Sequence, residues 1–294
     1  MVKKRLNRKT IFPYLLIAPI FILLIMFSAW PLATAFIKSL YRYDALRINE
    51  FIGLDNYITL LFHDAAFWKS MKNLLVLFVG MNVAFCFPVI AAKLVCNVKG
   101  KKIQYIMRLV FITPMVVPSV VTMMLWKFIY YPQIGVIARI CNYFNITAPK
   151  LLGTPSTALI AVILIGFPWV SGLNFLVARA ALQGIDNSVI EAAELDGAGK
   201  FKQFIKIELP MIKPQLKALY ILAFIGQFQD YERFLILTNG GPKNSTLVPG
   251  LHMYHAAFPG SGEAEYGYAC AIAVVLFVMT IVLSKLLLRN KEDN

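Results

Sequence analysis

Six apolar stretches, each about as long as a membrane-spanning helix, dominate this sequence. A helix needs about 20 consecutive apolar residues to cross a bilayer, because the hydrocarbon core is about 30 Å thick. The stretches lie near residues 11–37, 73–94, 105–130, 157–180, 215–237 and 267–288. With 59% hydrophobic residues and a mean hydropathy of +0.67, the chain has more apolar side chain than one soluble core can bury. We therefore predict an all-α polytopic membrane protein with six transmembrane helices.

The net charge of +14 indicates membrane topology rather than a nucleic-acid surface, because the basic residues form short clusters between the apolar stretches. With the N-terminus inside, 19 Lys and Arg residues fall on the cytoplasmic side, 8 fall outside, and Lys127 and Arg233 lie within spans. Cytoplasmic segments carry such an excess. We therefore predict that both termini are cytoplasmic, with a basic N-terminal segment at 1–10 and a transmembrane domain at 11–290.

The first apolar stretch also resembles a secretory signal, since it follows a basic cluster and ends at Ala33-Thr34-Ala35. The run from Ile11 to Ala33 is too long for a typical signal h-region. We expect an uncleaved membrane anchor.

No catalytic or metal-binding constellation is visible in the sequence. Cys86, Cys96, Cys141 and Cys270 show no metal-ligand spacing, and we interpret them as small hydrophobic residues. His252 and His255 stand at i and i+3, but no third ligand has suitable spacing. The sequence also contains no G-x-x-x-x-G-K-[ST] nucleotide-binding loop. We predict no enzyme activity, no cofactor and no metal.

Proline and glycine interrupt three of the predicted spans. Pro88 lies in the second, Pro114 and Pro118 in the third, and Gly166 and Pro168 in the fourth. Such breaks are tolerated in a membrane only where neighbouring helices, water or polar side chains satisfy the freed backbone groups. The pattern favours helices packed around a cavity.

A polar, helix-forming segment at 184–213 separates the fourth and fifth apolar stretches. Asp186–Leu195 can form a helix that opens on an Asp or Asn cap and stops at Gly197. A second amphipathic piece runs from Phe201 to Leu209-Pro210. The segment is therefore predicted to be two short helices joined at a glycine on the cytoplasmic side.

Two interpretations of this segment are open from composition. The lysines between its apolar residues would suit a helix pair lying among lipid headgroups. Alternatively, the small residues Ala192, Ala193, Ala198 and Gly199 would suit close docking into a groove on a protein.

The same segment matches the pattern E-A-A-x(3)-G-x(9)-I-x-L-P at every fixed position. The matching residues are Glu191, Ala192, Ala193, Gly197, Ile207, Leu209 and Pro210. On this motif the chain resembles the permease subunits of bacterial ABC importers. The resemblance implies the type I importer permease fold and makes 184–213 the coupling loop, which sits in a cleft of the ATPase subunit. It also implies that Glu191 pairs with a basic residue of the ATPase and that Gly197 sets the bend.

Three further motifs narrow the resemblance to carbohydrate-uptake permeases. They are Phe51-Ile52-Gly53-Leu54-Asp55-Asn56-Tyr57, the pattern Pro114-x(3)-Pro118-x(7)-Trp126, and Leu237-Thr238-Asn239-Gly240-Gly241-Pro242. The chain resembles the larger permease of maltose-type transporters but lacks its two extra N-terminal spans and its large insertion. It is more similar to the shorter six-span form that serves other oligosaccharides and glycerol phosphate.

The resemblance also implies a set of partners and a location. The partners are a second permease subunit forming a heterodimer, two cytoplasmic ATPase subunits, an extracytoplasmic solute-binding protein, the surrounding lipid and a carbohydrate substrate. Nucleic acid is not among them. The implied location is the inner membrane of a bacterial cell, with multiple passes.

Polar residues inside a span are costly, so function is their default interpretation. The fifth span carries Gln227, Gln229, Asp230, Glu232 and Arg233 within seven residues. The alternative is a structural role, in which these side chains hydrogen-bond to neighbouring helices, or in which Glu232 and Arg233 lie near the outer interface and contact water. Gln227 and Asp230, at i and i+3, are expected to share one helix face and to offer partners to hydroxyl groups.

The fourth span contributes Gly166-Phe167-Pro168-Trp169, where a helix break frees backbone groups and Trp169 offers an aromatic face to a sugar ring. The maltose-type resemblance places the sugar against Trp169, Gln227 and Asp230. Asp230 stands where the resembled permease has an amide, which disfavours an anionic sugar unless Arg233 compensates. The candidate substrate-binding residues are therefore Gly166, Trp169, Gln227, Gln229 and Asp230.

Other functions remain as alternatives. The first alternative is a permease for glycerol phosphate or another small polar solute. A self-sufficient secondary transporter would need ion-coupling acids in several spans and usually a repeat. Intramembrane acids are confined here to Asp230 and Glu232. A membrane-embedded enzyme would need an acid, base or metal constellation at the midplane.

Overall fold

The computed structural model describes residues 8–289, and the surroundings of side chains from residue 13 onward. The described chain falls into two compact units. The first contains the residues up to Asp64 together with Met253–Val278. The second contains Ala65–His252 and the residues from Met279 onward. Helices make up most of both, which agrees with the predicted all-α class.

The first unit begins with a long apolar helical segment and continues into a small hairpin. Its elements up to Asp64 are the helix Arg8–Leu24, the π segment Ile25–Ala29, the helix Trp30–Lys38, the antiparallel strands Tyr41–Tyr43 and Asn49–Phe51, the helix Asp55–Ile58 and the π segment Thr59–His63. In the most apolar window of Pro13–Lys38, 0% of the residues are buried within the chain. That surface is suited to lipid or to a partner helix.

Proline accounts for the π segment at Ile25–Ala29. Pro31 has no N–H to donate, and its ring would clash with the carbonyl four residues earlier in a regular α-helix. The helix widens just before it, and the N–H of Trp30 donates to the carbonyl of Ile25, five residues back. The helical segment thereby continues to Lys38 instead of ending.

The F-I-G-L-D-N-Y motif has a structural role in the first unit. The Asn56 side-chain amide donates to the carbonyl oxygens of Ser39 and Tyr41, at 2.8 and 3.0 Å. The Tyr57 hydroxyl donates to Ser39 Oγ at 2.7 Å. Gly53 adopts φ +61°, a conformation that favours glycine. The motif therefore fastens the hairpin to the end of the first helical segment.

We expect Gly267→Ala to reduce the amount of folded protein in the membrane several-fold. A Cβ added at Gly267 would lie 1.9 Å from the carbonyl oxygen of Tyr41, so backbone would have to move. Overpacking of this kind costs about 1–3 kcal/mol. Membrane abundance and thermal stability in detergent measure the effect. Gly260→Ala is the matched control, because nothing lies within 4 Å of its added Cβ; equal stability of the two variants would contradict the expectation.

The second unit is built around the helix Ala65–Asn97. Its other helices are Lys101–Ile112, the 3-10 segment Thr113–Val116, Ser119–Ile129, Val136–Tyr143, Pro155–Ile163, Gly172–Gln183, Asn187–Leu195, Lys200–Gln203, the π segment Phe204–Glu208, Leu209–Met211, Lys213–Gln229 and Glu232–Leu237. The helices Pro249–Ala257 and Tyr266–Arg289 each contribute to both units. A buried cluster of Val89, Ala92, Val95, Phe175 and Ala178 joins Ala65–Asn97 to Gly172–Gln183.

Three helices in the described part of the chain are long and apolar enough to cross a membrane: Pro13–Lys38, Ala65–Asn97 and Tyr266–Arg289. The pair Lys101–Val116 and Ser119–Ile129 makes a fourth if it is one span, with a bend of 96°. The predicted spans at 157–180 and 215–237 are each divided into two helices. The count of six spans and the cytoplasmic termini therefore remain predictions.

The bend in the third predicted span lies at its prolines, as expected. Val117 is extended, with φ −77° and ψ 128°, because the ring of Pro118 excludes the helical conformation from the residue before it. Pro114 begins a 3-10 turn. Pro88, by contrast, lies within the continuous helix Ala65–Asn97, so this proline does not end its helix.

Candidate functional site

The fourth predicted span is broken between Ile163 and Gly172, where Gly166 and Pro168 stand. Gly166 has φ +78°, and the Phe167–Pro168 peptide bond is cis. Trp169 has φ +54°, a left-handed conformation that bulky residues rarely adopt. Such a conformation persists only where surrounding contacts hold it, and strained residues of this kind concentrate at functional sites.

The contacts of Trp169 explain how this conformation is held. Its indole N–H donates to the carbonyl of Ile163 at 2.8 Å. Its ring meets Phe87 and Phe167 edge to face, with centroids 5.2 and 5.0 Å away. Because the N–H is already satisfied, a ligand would contact the carbon face of this half-buried ring rather than its donor.

The fifth predicted span is broken at Asp230. The helix Lys213–Gln229 ends at Gln229, Asp230 is extended with ψ 97°, and a new helix begins at Glu232. Asp230 is the C-cap residue at which this helix ends, so the expectation that Gln227 and Asp230 share one helix face remains a prediction. An ion pair spans the break: Arg233 Nη2, on the second helix, lies 2.6 Å from Asp230 Oδ2.

Two donors close to this break lack a partner in the described part of the chain. The side-chain amide nitrogen of Gln227 and the Nε atom of Arg233 are both buried without a hydrogen bond. A buried polar group without a partner is costly, so each such group calls for water or a ligand. Gln229, at the end of the helix, is exposed.

The helix Glu232–Leu237 is held by two polar contacts to Ser119–Ile129. Ser119 Oγ donates to the Glu232 carboxylate, at 3.2 Å from its nearer oxygen. Lys127 Nζ donates to the carbonyl of Ile236 at 2.9 Å. Sequence reasoning missed Ser119 and assigned no role to Lys127, although an isolated lysine within an apolar stretch was a detectable signal.

The helix Ala65–Asn97 contacts the elements on which both breaks lie. Its Phe87 packs on Trp169, and its Phe78 packs on Phe224 and Phe228, with centroids 4.6 and 5.3 Å away. Phe78 and Phe87 are nine residues apart, which is roughly 13 Å along an α-helix. Trp169 therefore meets this helix about two and a half turns away from the aromatic residues beside Gln227.

The L-T-N-G-G-P motif forms a turn that is fixed to the same helix. Asn239 and Gly240 have φ +50° and +81°. The Asn73 side-chain amide donates to the carbonyls of Asn244 and Leu247, at 3.0 and 2.8 Å. The family motif therefore shapes the chain after the fifth predicted span, and Asn73, which sequence reasoning missed, holds it.

The first helix of the segment 184–213 has the predicted cap and stop. The Asp186 carboxylate accepts the N–H of Ser188 at 2.9 Å, and this hydrogen bond holds the pKa of the Asp186 carboxyl below its ordinary value. The helix runs over Asn187–Leu195, and Gly197 has φ +73°. The N–H of Ala198 closes the turn on the carbonyl of Ala193 at 2.9 Å.

The motif residues of this helix divide between its two sides. Glu191 and Ala192 are exposed, whereas Ala193 is 6% exposed and packs inward. The exposed small-residue surface thus contains Ala192 and Gly199 but excludes Ala193. The exposed side of the helix therefore presents the Glu191 carboxylate beside the small side chain of Ala192.

The second half of the segment is fixed by a buried glutamine and a proline. Gln203 is 3% exposed, and its side-chain amide donates to the carbonyl of Ala198 at 2.8 Å. Before Pro210 the helix widens, and the N–H of Leu209 donates to the carbonyl of Phe204, five residues back. Ile207 and Leu209 are half-buried, and Pro210 is exposed. The I-x-L-P motif therefore shapes the entry into the helix Lys213–Gln229.

The described chain combines apolar helices, interruptions in those helices and buried polar groups. Irregular backbone at membrane depth is tolerated only beside protein or a water-filled cavity, so this combination indicates an integral membrane transport protein. The family model described as the binding-protein-dependent transport system inner membrane component matches residues 84–290. The chain belongs to this family. It is a permease component of an ABC importer in the inner membrane, and it is not an enzyme.

Relatives match along nearly the whole chain. A probable ABC transporter permease protein, YurN of Bacillus subtilis (strain 168), is 31% identical over 95% of this chain and 95% of its own length. The sn-glycerol-3-phosphate transport system permease protein UgpA of Escherichia coli (strain UTI89 / UPEC) is 32% identical over 96% of this chain and 94% of its own length.

Solved structures confirm the fold. A chain of a bacterial ABC transporter involved in the import of the acidic polysaccharide alginate superposes with a TM-score of 0.85 at 20% identity, covering 98% of each chain. A chain from the same kind of transporter, in complex with an alginate pentasaccharide-bound periplasmic protein, superposes with a TM-score of 0.82 at 22% identity. The chain thus has the predicted importer permease fold.

Proposed function

We propose that this permease imports a neutral carbohydrate, which binds at the two helix breaks. We also propose that the segment 184–213 couples the permease to an ATPase. The observation that carries the substrate class is the ion pair between Asp230 and Arg233. The two charges neutralise one another at 2.6 Å, so this part of the site has no spare cation for an anionic solute. Partly exposed carboxylate oxygens remain as acceptors for hydroxyl groups.

The surrounding groups support a hydroxyl-rich ligand. The buried amide of Gln227 has donors to offer, and the carboxylate of Asp230 accepts. Gly166 opens the other break, where Trp169 presents ring carbons to the C–H side of a sugar. Gln229, exposed at the helix end, supplies a further amide. An oligosaccharide that reaches both breaks can thus pair donors with acceptors at one and lie against an aromatic face at the other, as ligand sites generally require.

The coupling proposal rests on the helix Asn187–Leu195. It is capped at both ends, and it carries Glu191 and Ala192 on its exposed side. A rigid helix with small residues can approach a protein groove closely, while an exposed carboxylate selects a basic partner. Ala193, Ile207 and Leu209 face inward or are half-buried, so they hold the segment in place.

The importer contains further subunits besides this permease: a second permease, an ATPase and a solute-binding protein. We propose that the second permease is a different chain, forming a heterodimer, and that two cytoplasmic ATPase subunits bind. Purification of the chain from its native membrane tests this arrangement. Co-elution of all three kinds of partner supports it, whereas solute uptake by the chain alone would overturn it.

A second candidate substrate is glycerol phosphate. It is favoured by the UgpA relatives, which are named for sn-glycerol-3-phosphate transport, and by the presence of Arg233 at the break. Binding of a phosphate would require Arg233 to leave Asp230. Uptake by the reconstituted importer separates the two candidates: transport of neutral oligosaccharides without sn-glycerol 3-phosphate supports the first, and the reverse supports the second.

We expect Gly197→Val to leave membrane insertion intact but to reduce co-purification of the ATPase severalfold. Gly197 has φ +73°, which a β-branched residue resists at a cost of about 1–3 kcal/mol. Gly197→Asn is the matched control, because asparagine tolerates this conformation far better. Quantified ATPase recovery on the tagged permease measures the effect. Full recovery with the valine variant would count against coupling through this turn.

A further inference from the structure

A buried ion pair joins the segment 184–213, from here on the coupling segment, to the helix Ala65–Asn97. Lys93 Nζ lies 2.5 Å from Glu208 Oε1, and their side chains are only 17% and 6% exposed. The two residues are 115 positions apart in the chain. The contact therefore connects two separate elements of the second unit.

The surroundings of this pair are unfavourable for a purely stabilising contact. Glu208 Oε2 is buried without a hydrogen-bond partner among the described residues, and so is the Nε atom of Arg179. Buried ion pairs are weak contributors to stability, because desolvation of both charges offsets their attraction. Removing either charge, however, would leave the other buried without a partner, which is costly. The pair therefore favours the arrangement of the two elements that keeps both charges in contact. Such a pair is suited to fixing the register between two elements.

Each member of the pair stands at an informative position. Glu208 is the last residue of the π segment Phe204–Glu208, which lies within the coupling segment. This part of the chain leads into the helix Lys213–Gln229. Lys93 lies four residues before the end of the helix Ala65–Asn97. Six residues earlier on that helix is Phe87, whose ring packs on Trp169. The coupling segment and the break in the fourth predicted span thus contact one continuous helix.

We propose that Lys93 and Glu208 are positioning residues that fasten the coupling segment to the helix Ala65–Asn97, so that movement of the segment displaces the Phe87–Trp169 contact. The inference rests on the proposed function of the segment 184–213. The helix is unbroken from Phe87 to Lys93 although Pro88 has no N–H to donate, so a displacement of Lys93 can reach Phe87 along it. The ion pair supplies the one charged connection described between the two elements.

The space around the pair allows conservative variants to be distinguished. A groove of ≈ 390 Å³ lies beside Lys93, and its lining includes Ile90, Leu94, Phe201 and Phe204. The longer side chain of Lys93→Arg has room there and keeps the charge. Glu208→Asp also keeps the charge but is one methylene shorter, so the 2.5 Å contact must lengthen or the two elements must move closer together.

The test uses the complete importer reconstituted in vesicles, with solute transported per ATP hydrolysed as its readout. The variants are Lys93→Arg, Glu208→Asp and the double variant Lys93→Met with Glu208→Leu. The double variant removes both charges, so no unpaired charge remains to prevent assembly. We expect it and Glu208→Asp to lower the ratio at least about fivefold, the low end of coupling effects between sites. Lys93→Arg should retain most of the ratio.

Lys99→Met is the matched control, since Lys99 is exposed and lies outside the pair. A normal transport ratio in Glu208→Asp overturns the inference. So does failure of the double variant to assemble while Glu208→Asp transports normally, because the pair would then serve stability alone. If Gly197→Val retains the ATPase and the double variant transports normally, the proposed coupling segment fails. If Gly197→Val loses the ATPase while Glu208→Asp stays normal, only the positioning role fails.

Discussion

Replacing Glu191 with lysine is expected to reduce solute uptake by about 100-fold or more, because like charges placed together at an interface cost several kcal/mol and each 1.4 kcal/mol is a factor of ten. Glu191 is exposed on the capped helix Asn187–Leu195, so the substitution leaves the permease fold unchanged. Its proposed partner is a basic groove of the ATPase. Uptake into vesicles and ATP hydrolysis, measured on the same preparation, report the uncoupling.

Glu191→Gln and Glu194→Lys complete this experiment. The glutamine removes the charge without reversing it and should have a smaller effect. Glu194 is also exposed on the same helix, so Glu194→Lys reverses one charge a turn away. Uptake lost equally in Glu191→Lys and Glu194→Lys would assign the effect to net charge rather than to a specific pair. Normal uptake in Glu191→Lys would refute the proposed pairing.

Asp230→Ala is expected to lower uptake at least about tenfold while basal ATP hydrolysis survives, since a hydrogen bond to a charged group contributes about 1.5–3 kcal/mol. Asp230→Asn should keep part of the uptake, because an amide oxygen still accepts a hydroxyl. Both variants remove the negative charge that pairs with Arg233 at 2.6 Å, although the asparagine oxygen can still accept a hydrogen bond from the guanidinium. ATPase co-purification with each variant reports any loss caused by Arg233 alone, and the remaining difference in uptake reports the substrate contact. Competition between neutral and phosphorylated solutes should shift towards the anion in both.

The control for Asp230 is Glu232→Gln, which keeps an acceptor for Ser119 Oγ beyond the same break. It should assemble and transport. If both Asp230 variants fail to assemble with the partner subunits, Asp230 is a helix-pairing residue and the substrate site at this break is wrong. Equal uptake by the alanine and asparagine variants would likewise separate Asp230 from the substrate.

The coupling segment was the part most fully predicted from sequence. Its cap at Asp186, its helix and its positive φ at Gly197 all depend on residues within one or two turns. Capping competes only with local hydrogen bonds, so a short window of sequence contains the necessary information. The buried position of Ala193 was not foreseen, because the side of a short helix that faces inward depends on what packs against it.

The candidate substrate site was predicted less completely. Gly166 and Pro168 indicated a break, and one is present. The end of the helix at Gln229 was not predicted, because the apolar stretch 215–237 is long enough for one continuous span. A second helix begins at Glu232, and its Arg233 pairs with Asp230. Asn73, which holds the L-T-N-G-G-P turn, carried no signal beyond being a polar residue near a span.

The sequence alone determined the helical membrane class, the breaks at Pro118 and at Gly166-Pro168, and the shape of the coupling segment, whereas Pro88 did not end its helix. Each depends on hydrophobicity or on backbone chemistry that acts over a few neighbouring residues. Tertiary structure alone decided that Lys93 meets Glu208 and that Phe87 meets Trp169. Desolvation makes a buried charge depend on its partner, and for Lys93 that partner is 115 residues distant. Packing of separate elements, which no local pattern encodes, therefore selected these contacts.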